Sequence, residues 1–436
     1  MRLFPTLSIL FLPALVGAGL VNGPMLAHLD MREAKVWVQA DAPSIVRVHY
    51  SEVGSNGADY QTVPVETDNR AGHTAVLTLD RVEPGTRYRY SVELNGDRVG
   101  QAGTFSTLEN YYERTPPPDF RFAVGGAHYA IEAGFEPPYR TLGGGYDIFS
   151  TIAEHEPAFM LWVGNTAHLR PGDWATQSGY LKRFTTARAV SQLGPLLRSI
   201  PHYAVWGETD YGAPGGGRLS STRQIAESSF TAFWPRPTKV AELDGVATQF
   251  RYADVDFFLL DVRTYRNATP DSTSRVEILG AKQIEWLRQA LIESTATFKI
   301  VAAGAPILNP ADSRRNLSYA EREHSELLQM MRNEQITGLF FLSGGKRYGE
   351  LTKLVHANSY NLYDLTLGPL TAEPSESSDE LNFFRAPRSS TYERHFALIE
   401  CTGNEAERAL TIRVLDSEGG ELWNRRIPVS ELQIAD

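Results

Sequence analysis

The sequence predicts an α/β protein, a layered core of strands and helices preceded by a small all-β domain. Three observations carry this reading. Beyond residue 120, apolar runs of strand length alternate with stretches of helix length, the pattern of helices packed in layers on a sheet. Before residue 109, apolar and polar residues alternate between turn signals, the two-residue period of half-buried strands. Between the two lies Thr115-Pro-Pro-Pro118, a stiff connector. A chain of 436 residues also exceeds one ordinary hydrophobic core, so two or three domains are expected.

Taken from the N-terminus, residues 1–21 read as a signal peptide. Arg2 precedes an apolar run over 7–16, and Val16-Gly17-Ala18 resembles a cleavage site. The run is short for a bilayer span, and the alternative is an uncleaved anchor at the same place. Residues 22–108 form the all-β unit, with strands over 35–39 and 45–50 around the Asp41-Ala42-Pro43 turn, and a hairpin at Asn95-Gly96. Over 79–92 an apolar pair precedes the Pro84-Gly85 turn, and Tyr88, Tyr90 and Val92 alternate toward one face. That pattern resembles a fibronectin type III or immunoglobulin-like sandwich. Residues 109–119 are the linker. In residues 120–436, strands are expected over 120–124, 159–163, 202–205, 257–260, 299–303 and 338–342, and helices over 147–155, 178–199, 281–294 and 320–333. Segments 410–415 and 422–427 close the chain as a hairpin. In such layered folds ligands gather at the carboxyl ends of the strands.

Composition excludes several classes of function. The net charge of −10 and scattered basic residues argue against nucleic acid and anionic membranes as partners. The single cysteine, Cys401, precludes an internal disulfide framework and reads as a small buried apolar residue. The glycine runs at 143–145 and 215–217 lack the spacing of a phosphate-binding loop, and no GxSxG elbow is present. After the N-terminal run no segment is apolar enough for a membrane span, so an exported protein, periplasmic, cell-surface or secreted, is expected.

Three segments carry a more specific signal: 161–170 (LWVGNTAHLR), 205–212 (VWGETDYG) and 341–348 (FLSGGKRY). They resemble motifs of the alkaline phosphatase D (PhoD-like) metallophosphatases, which read roughly LWLGDNxYLR, xWDDHDYG and FLSGDRHx. The likeness extends to 257–266 (FFLLDVRTYR), 279–287 (LGAKQIEWL), 294–299 (STATFK) and the helix start at 319–322. It implies a metallophosphatase-like β-sandwich core flanked by helices, and a pair of metals, iron and calcium, acting on phosphate esters.

Position by position, the resemblance fails at the metal ligands. Gly125-Gly126-Ala127 stands where the family has GSC, whose Cys binds iron. Asn165 and His168 stand at the positions of the bridging Asp and the iron-binding Tyr. Gly207, Glu208 and Thr209 replace Asp, Asp and His, with only Asp210 retained, and Gly345 and Arg347 replace the Asp and His of the last motif. Asparagine carries no charge with which to bridge two cations, and an arginine repels them. The expectation is therefore a degenerate member, with no cofactor, that binds an anionic, phosphate-containing ligand or a protein partner in the former active-site crevice. Asp210, Arg263, Arg266, Lys346 and Arg347 are the candidate binding residues, since guanidinium groups pair well with oxyanions. The alternative is an active phosphomonoesterase or phosphodiesterase. Its rearranged site would hold iron, calcium or another divalent metal on His128, Asn165, His168, Glu208 and Asp210.

Overall fold

The computed structural model of the chain describes residues 19–54, 58–267, 276–355, 359–404 and 406–434. The leader segment proposed for residues 1–21 thus lies outside the described residues up to position 18. Positions 20 and 21 already belong to the first strand, Leu20–Leu29. That strand pairs with Ala34–Ala40, which pairs with Thr74–Leu79. A second sheet is built on Ile45–Glu52, Arg87–Leu94 and Asp97–Ser106. The two sheets enclose a core of Val36, Val38, Val46, Val48, Tyr88, Tyr90 and Val92, as the two-residue period requires.

The larger domain is a sandwich of two six-stranded sheets. One runs His202–Val205, Met160–Val163, Phe120–Gly125, His395–Thr402, Ala409–Asp416 and Glu421–Pro428; its first three strands are parallel. The other runs Thr248–Tyr252, Val255–Leu259, Phe298–Ala303, Leu339–Ser343, Leu362–Thr366 and Glu350–Leu354, parallel through its four middle strands. Phe122, Val124, Phe159, Leu161 and Val163 face Phe257, Ile300 and Phe341 across the sandwich. The intervening Ala123, Met160 and Trp162 face outward, against helices Ile148–Glu154, Gln177–Arg188, Leu193–Ser199 and Arg223–Phe233. Burial on both faces explains why these strands read as continuous apolar runs.

One expectation needs correction. The helix expected over 178–199 is two helices, because Pro195 lacks an amide hydrogen and fits only the first turn of a new helix. The small domain packs against the large one. Met25, Ala27 and Trp37 join the helical layer of the large domain, and the Trp37 indole donates to the Ala232 carbonyl at 2.7 Å. The buried Arg188 guanidinium sits 3.6 Å over the Trp234 ring, with Trp37 on its other flank. At the linker's end, Arg408 binds the Pro118 carbonyl and the Asp119 carboxylate, both at 2.7 Å. No helix among the described residues is long and apolar enough to cross a membrane.

Candidate functional site

A crevice of about 890 Å³ opens where parallel strands of both sheets end. Phe120–Gly125 leads to Ala127, Met160–Val163 to Asn165 and His168, His202–Val205 to Glu208 and Thr209, and Leu339–Ser343 to Gly345 and Arg347. The structure thus brings Asn165, His168, Glu208, Thr209, Gly345 and Arg347 together on one lining. Tyr129, Phe135, Leu142 and Trp174 supply an apolar wall opposite. Of the other residues singled out in the sequence, His128, Asp210, Arg263, Arg266 and Lys346 are buried and do not line the crevice.

The floor is closed by protein–protein hydrogen bonds. Asp210 is fully buried. Its Oδ1 accepts from the Thr166 amide (2.6 Å), the Thr166 hydroxyl (3.0 Å) and the Ala167 amide (2.8 Å), and its Oδ2 accepts from the Gly207 amide (2.8 Å). Burial pushes its pKa up against the pull of these donors. The carboxylate therefore clamps the first-motif loop to the second and is not available to a ligand. His128 is equally committed. Its Nε2 donates to the Ala187 carbonyl at 3.0 Å, which leaves Nδ1 to accept from the Thr371 hydroxyl at 2.7 Å. Burial holds this imidazole neutral, its pKa pushed down to about 4.

The glycines of the altered motifs sit where side chains do not fit. A Cβ on Gly207 would lie 2.2 Å from Asn165 Oδ1, the atom that accepts from the Thr209 amide at 3.1 Å. Gly345 has φ 81°, and a Cβ there would lie 2.7 Å from the Gly304 carbonyl oxygen. The Asn165 side chain and amide at Gly207, and the Gly304 carbonyl at Gly345, fill the space in which a side chain would begin.

These residues do not fit a metal centre. His128 and Asp210 are saturated, Glu208 is paired with arginines, and His168 stands edge-on to Tyr129 with ring centroids 4.7 Å apart. Burial and the nearby Arg183 and Arg347 hold His168 neutral, its pKa down to about 4. Among the described residues no group of three or more His, Cys, Asp or Glu side chains could hold a metal ion. The five-residue ligand set of His128, Asn165, His168, Glu208 and Asp210 does not assemble.

The rim has a different chemistry, with Glu132, Glu208 and Glu373 each shared among cations. Glu132 meets Arg170 at 2.6 Å, Lys182 at 3.2 Å and Arg183 at 3.6 Å. Glu208 meets Arg315 at 3.4 Å and Arg263 at 3.6 Å. Glu373 pairs with Arg140, and with Arg347 at 3.3 Å. Burial opposes ionisation of Glu208, but Arg263, the Gly215 amide and Arg315 outweigh it and hold its pKa below the usual range. Burial pushes the Arg263 pKa down to about 10.

Of the basic candidate binding residues, Arg347 lines the crevice, and Arg263, Arg266 and Lys346 lie buried beside it. Lys346 is tied to Glu380, and the Arg266 guanidinium donates to the Arg314 carbonyl. The Asp261 carboxylate binds the amides of Val246, Arg263 and Thr264 rather than the Arg263 guanidinium. Sequence reasoning missed Glu132, Arg140, Arg170, Arg315 and Glu373. Arg170 closes the first motif and was legible there; the others lie on loops without a recognisable pattern.

Three motif segments meet at this one crevice, and the sequence model for "PhoD-like phosphatase" matches residues 207–402. The chain carries a PhoD-like phosphatase domain over those residues. The solved structure titled "Structure of PhoD" superposes with a TM-score of 0.71 at 13% identity, over 94% of this chain and 91% of that one. A purple acid phosphatase from yellow lupin (Lupinus luteus) gives 0.68 at 14% identity, over 93% and 74%. At such identities the superpositions speak for the fold alone. Residues 17–109 match a domain of unknown function, DUF7800. A search of curated proteins returns no match. Within the PhoD-like frame, the crevice of this chain has a sealed, hydrogen-bonded floor and a cation-rich rim.

Proposed function

We propose that this PhoD-like protein is an exported pseudoenzyme whose crevice binds an anionic ligand without metal. One observation carries the reading: the family's ligand positions are closed by internal bonds, while Glu132, Glu208 and Glu373 are each shared by two or three cations. Cations that share one counter-charge retain attraction for an added anion, and a concave, partly apolar site amplifies it by excluding water. Arg315 and Arg347 both line the crevice and keep 62% and 48% of their side chains exposed, so an incoming oxyanion can reach them. Phosphate or a phosphate-containing molecule matches the fork geometry of guanidinium.

Calorimetric titration of the full chain with inorganic phosphate, with and without a chelator, tests this reading. Binding that survives the chelator, with no turnover of phosphomonoesters or phosphodiesters in the presence of iron, calcium or zinc, is the expected result. Metal-dependent hydrolysis lost in His168→Ala would replace it with the hydrolase reading. A second reading, a protein partner, rests on Phe135 and Tyr139, which are 70% and 87% exposed on the loop that walls the crevice. Binding of an acidic protein abolished by Phe135→Ala, without phosphate binding, would favour it.

A further inference from the structure

We infer that Glu208 is a built-in counter-anion that occupies an arginine cage, and that a tetrahedral oxyanion such as phosphate or sulfate takes its place on Arg263 and Arg315. The inference rests on the reading that the crevice accepts an anion, and it names where the anionic group lands.

The cage is built but poorly satisfied. Arg263 is only 3% exposed, yet its Nε has no hydrogen-bond partner among the described residues. Its ion pair with Glu208 spans 3.6 Å, and that of Arg315 spans 3.4 Å. Charge-assisted N–H···O bonds are usually about 2.7–2.9 Å. Another buried arginine of this chain shows the contrast. Arg408 grips both oxygens of Asp254, at 2.8 and 3.1 Å, and reaches Asp119 at 2.7 Å. A buried guanidinium that lacks such bonds is costly, so a better acceptor beside Arg263 is favoured. A tetrahedral oxyanion offers several oxygens at once, where Glu208 offers two.

Glu208 is also the movable part. It lies on the single helical turn Glu208–Tyr211, lines the crevice, and among the described residues its side chain is otherwise hydrogen-bonded only by the Gly215 amide at 3.1 Å. Arg263 is its buried partner and does not itself line the crevice, so outward rotation of the Glu208 side chain would open the cage. While tethered, the carboxylate competes with free anions at an effective concentration on the order of millimolar or higher. The native chain therefore shows weakened affinity, and removing the tethered charge unmasks the site.

The test is calorimetric titration with inorganic phosphate of the full chain, of Glu208→Gln, and of Glu208→Gln combined with Arg315→Ala, each checked by thermal melting. Glu208→Gln is expected to bind phosphate at least tenfold more tightly than the native chain, and the double variant to lose that gain. If the native chain binds phosphate and Glu208→Gln binds it no better, the cage is wrong while the anion-binding crevice stands. If neither binds, both are wrong. Should Glu208→Gln fail to fold, Arg315→Ala alone, at an exposed position, is expected to weaken phosphate binding at least fivefold. Unchanged affinity there overturns the inference.

Discussion

Asp210 and Glu208 stand two residues apart on one helical turn and live under opposite conditions. Asp210, on the floor, accepts four hydrogen bonds of 2.6–3.0 Å and is sealed from solvent. Glu208, on the rim, keeps 20% of its side chain exposed and holds two arginines at 3.4–3.6 Å. The difference separates a carboxylate that ties two loops together from one that faces the crevice and is shared by two arginines.

The largest expected effect separates interior from rim by pH. Burial holds His128, His202 and His395 neutral in the fold, with pKa values down to about 4, 3 and 4 from an ordinary 6.5. As pH falls from about 6.5 toward 4, the unfolded chain takes up protons that the folded chain refuses. Stability then drops by about 1.4 kcal/mol per pH unit for each such imidazole. Glu132, Glu208 and Glu373 have depressed pKa values, so their contribution is full above the unfolded carboxyl pKa and is lost only as pH falls through the folded values. Urea denaturation should show clear loss by pH 5. A curve flat to pH 4.5 would shift the weight to the rim.

Next in size is Asp210→Ala, which strands four buried donors and should cost about 3 kcal/mol or more in urea denaturation. A cost under 1 kcal/mol would erase the contrast with the rim. Gly207→Asp restores a family letter at a position with no room, since Asn165 Oδ1 lies 2.2 Å from the new Cβ. It should destabilise by about 1–3 kcal/mol and bring no metal, as read by plasma mass spectrometry. Stoichiometric metal in that variant would mean the floor can reopen. The smallest effect is Arg315→Ala, expected to change stability by about 0.5 kcal/mol or less because the Arg315 side chain is 62% exposed and its pair is long. A larger change would make the rim structural.

Much of the scaffold was legible locally. The strands at 120–124, 202–205 and 299–303 announced themselves as short apolar runs, and Asn95-Gly96 marks the observed hairpin. Strand His395–Thr402 was not singled out, although it sits centrally between Phe120–Gly125 and Ala409–Asp416. Its letters follow a long polar loop and run apolar without a clean alternation. Strand Leu20–Leu29 was hidden by the leader-like run beside it, because an apolar segment shows its pairing partner only once the sheet exists.

The amino-acid sequence by itself determined the layered α/β class, the all-β unit before it and the family likeness. Each follows from residue type, period and motif order, which are local properties. Only the tertiary structure decided what the surviving polar residues do. His128 and Asp210 looked like ligands because imidazole and carboxylate can bind metals, but their lone pairs are taken by Thr371, Thr166, Ala167 and Gly207. Lys346 and Arg347 are adjacent in sequence, yet one is buried against Glu380 and the other faces the crevice. Hydrogen-bond saturation, side-chain direction and the sharing of one carboxylate by several cations arise from contacts between distant segments, and no run of letters contains them.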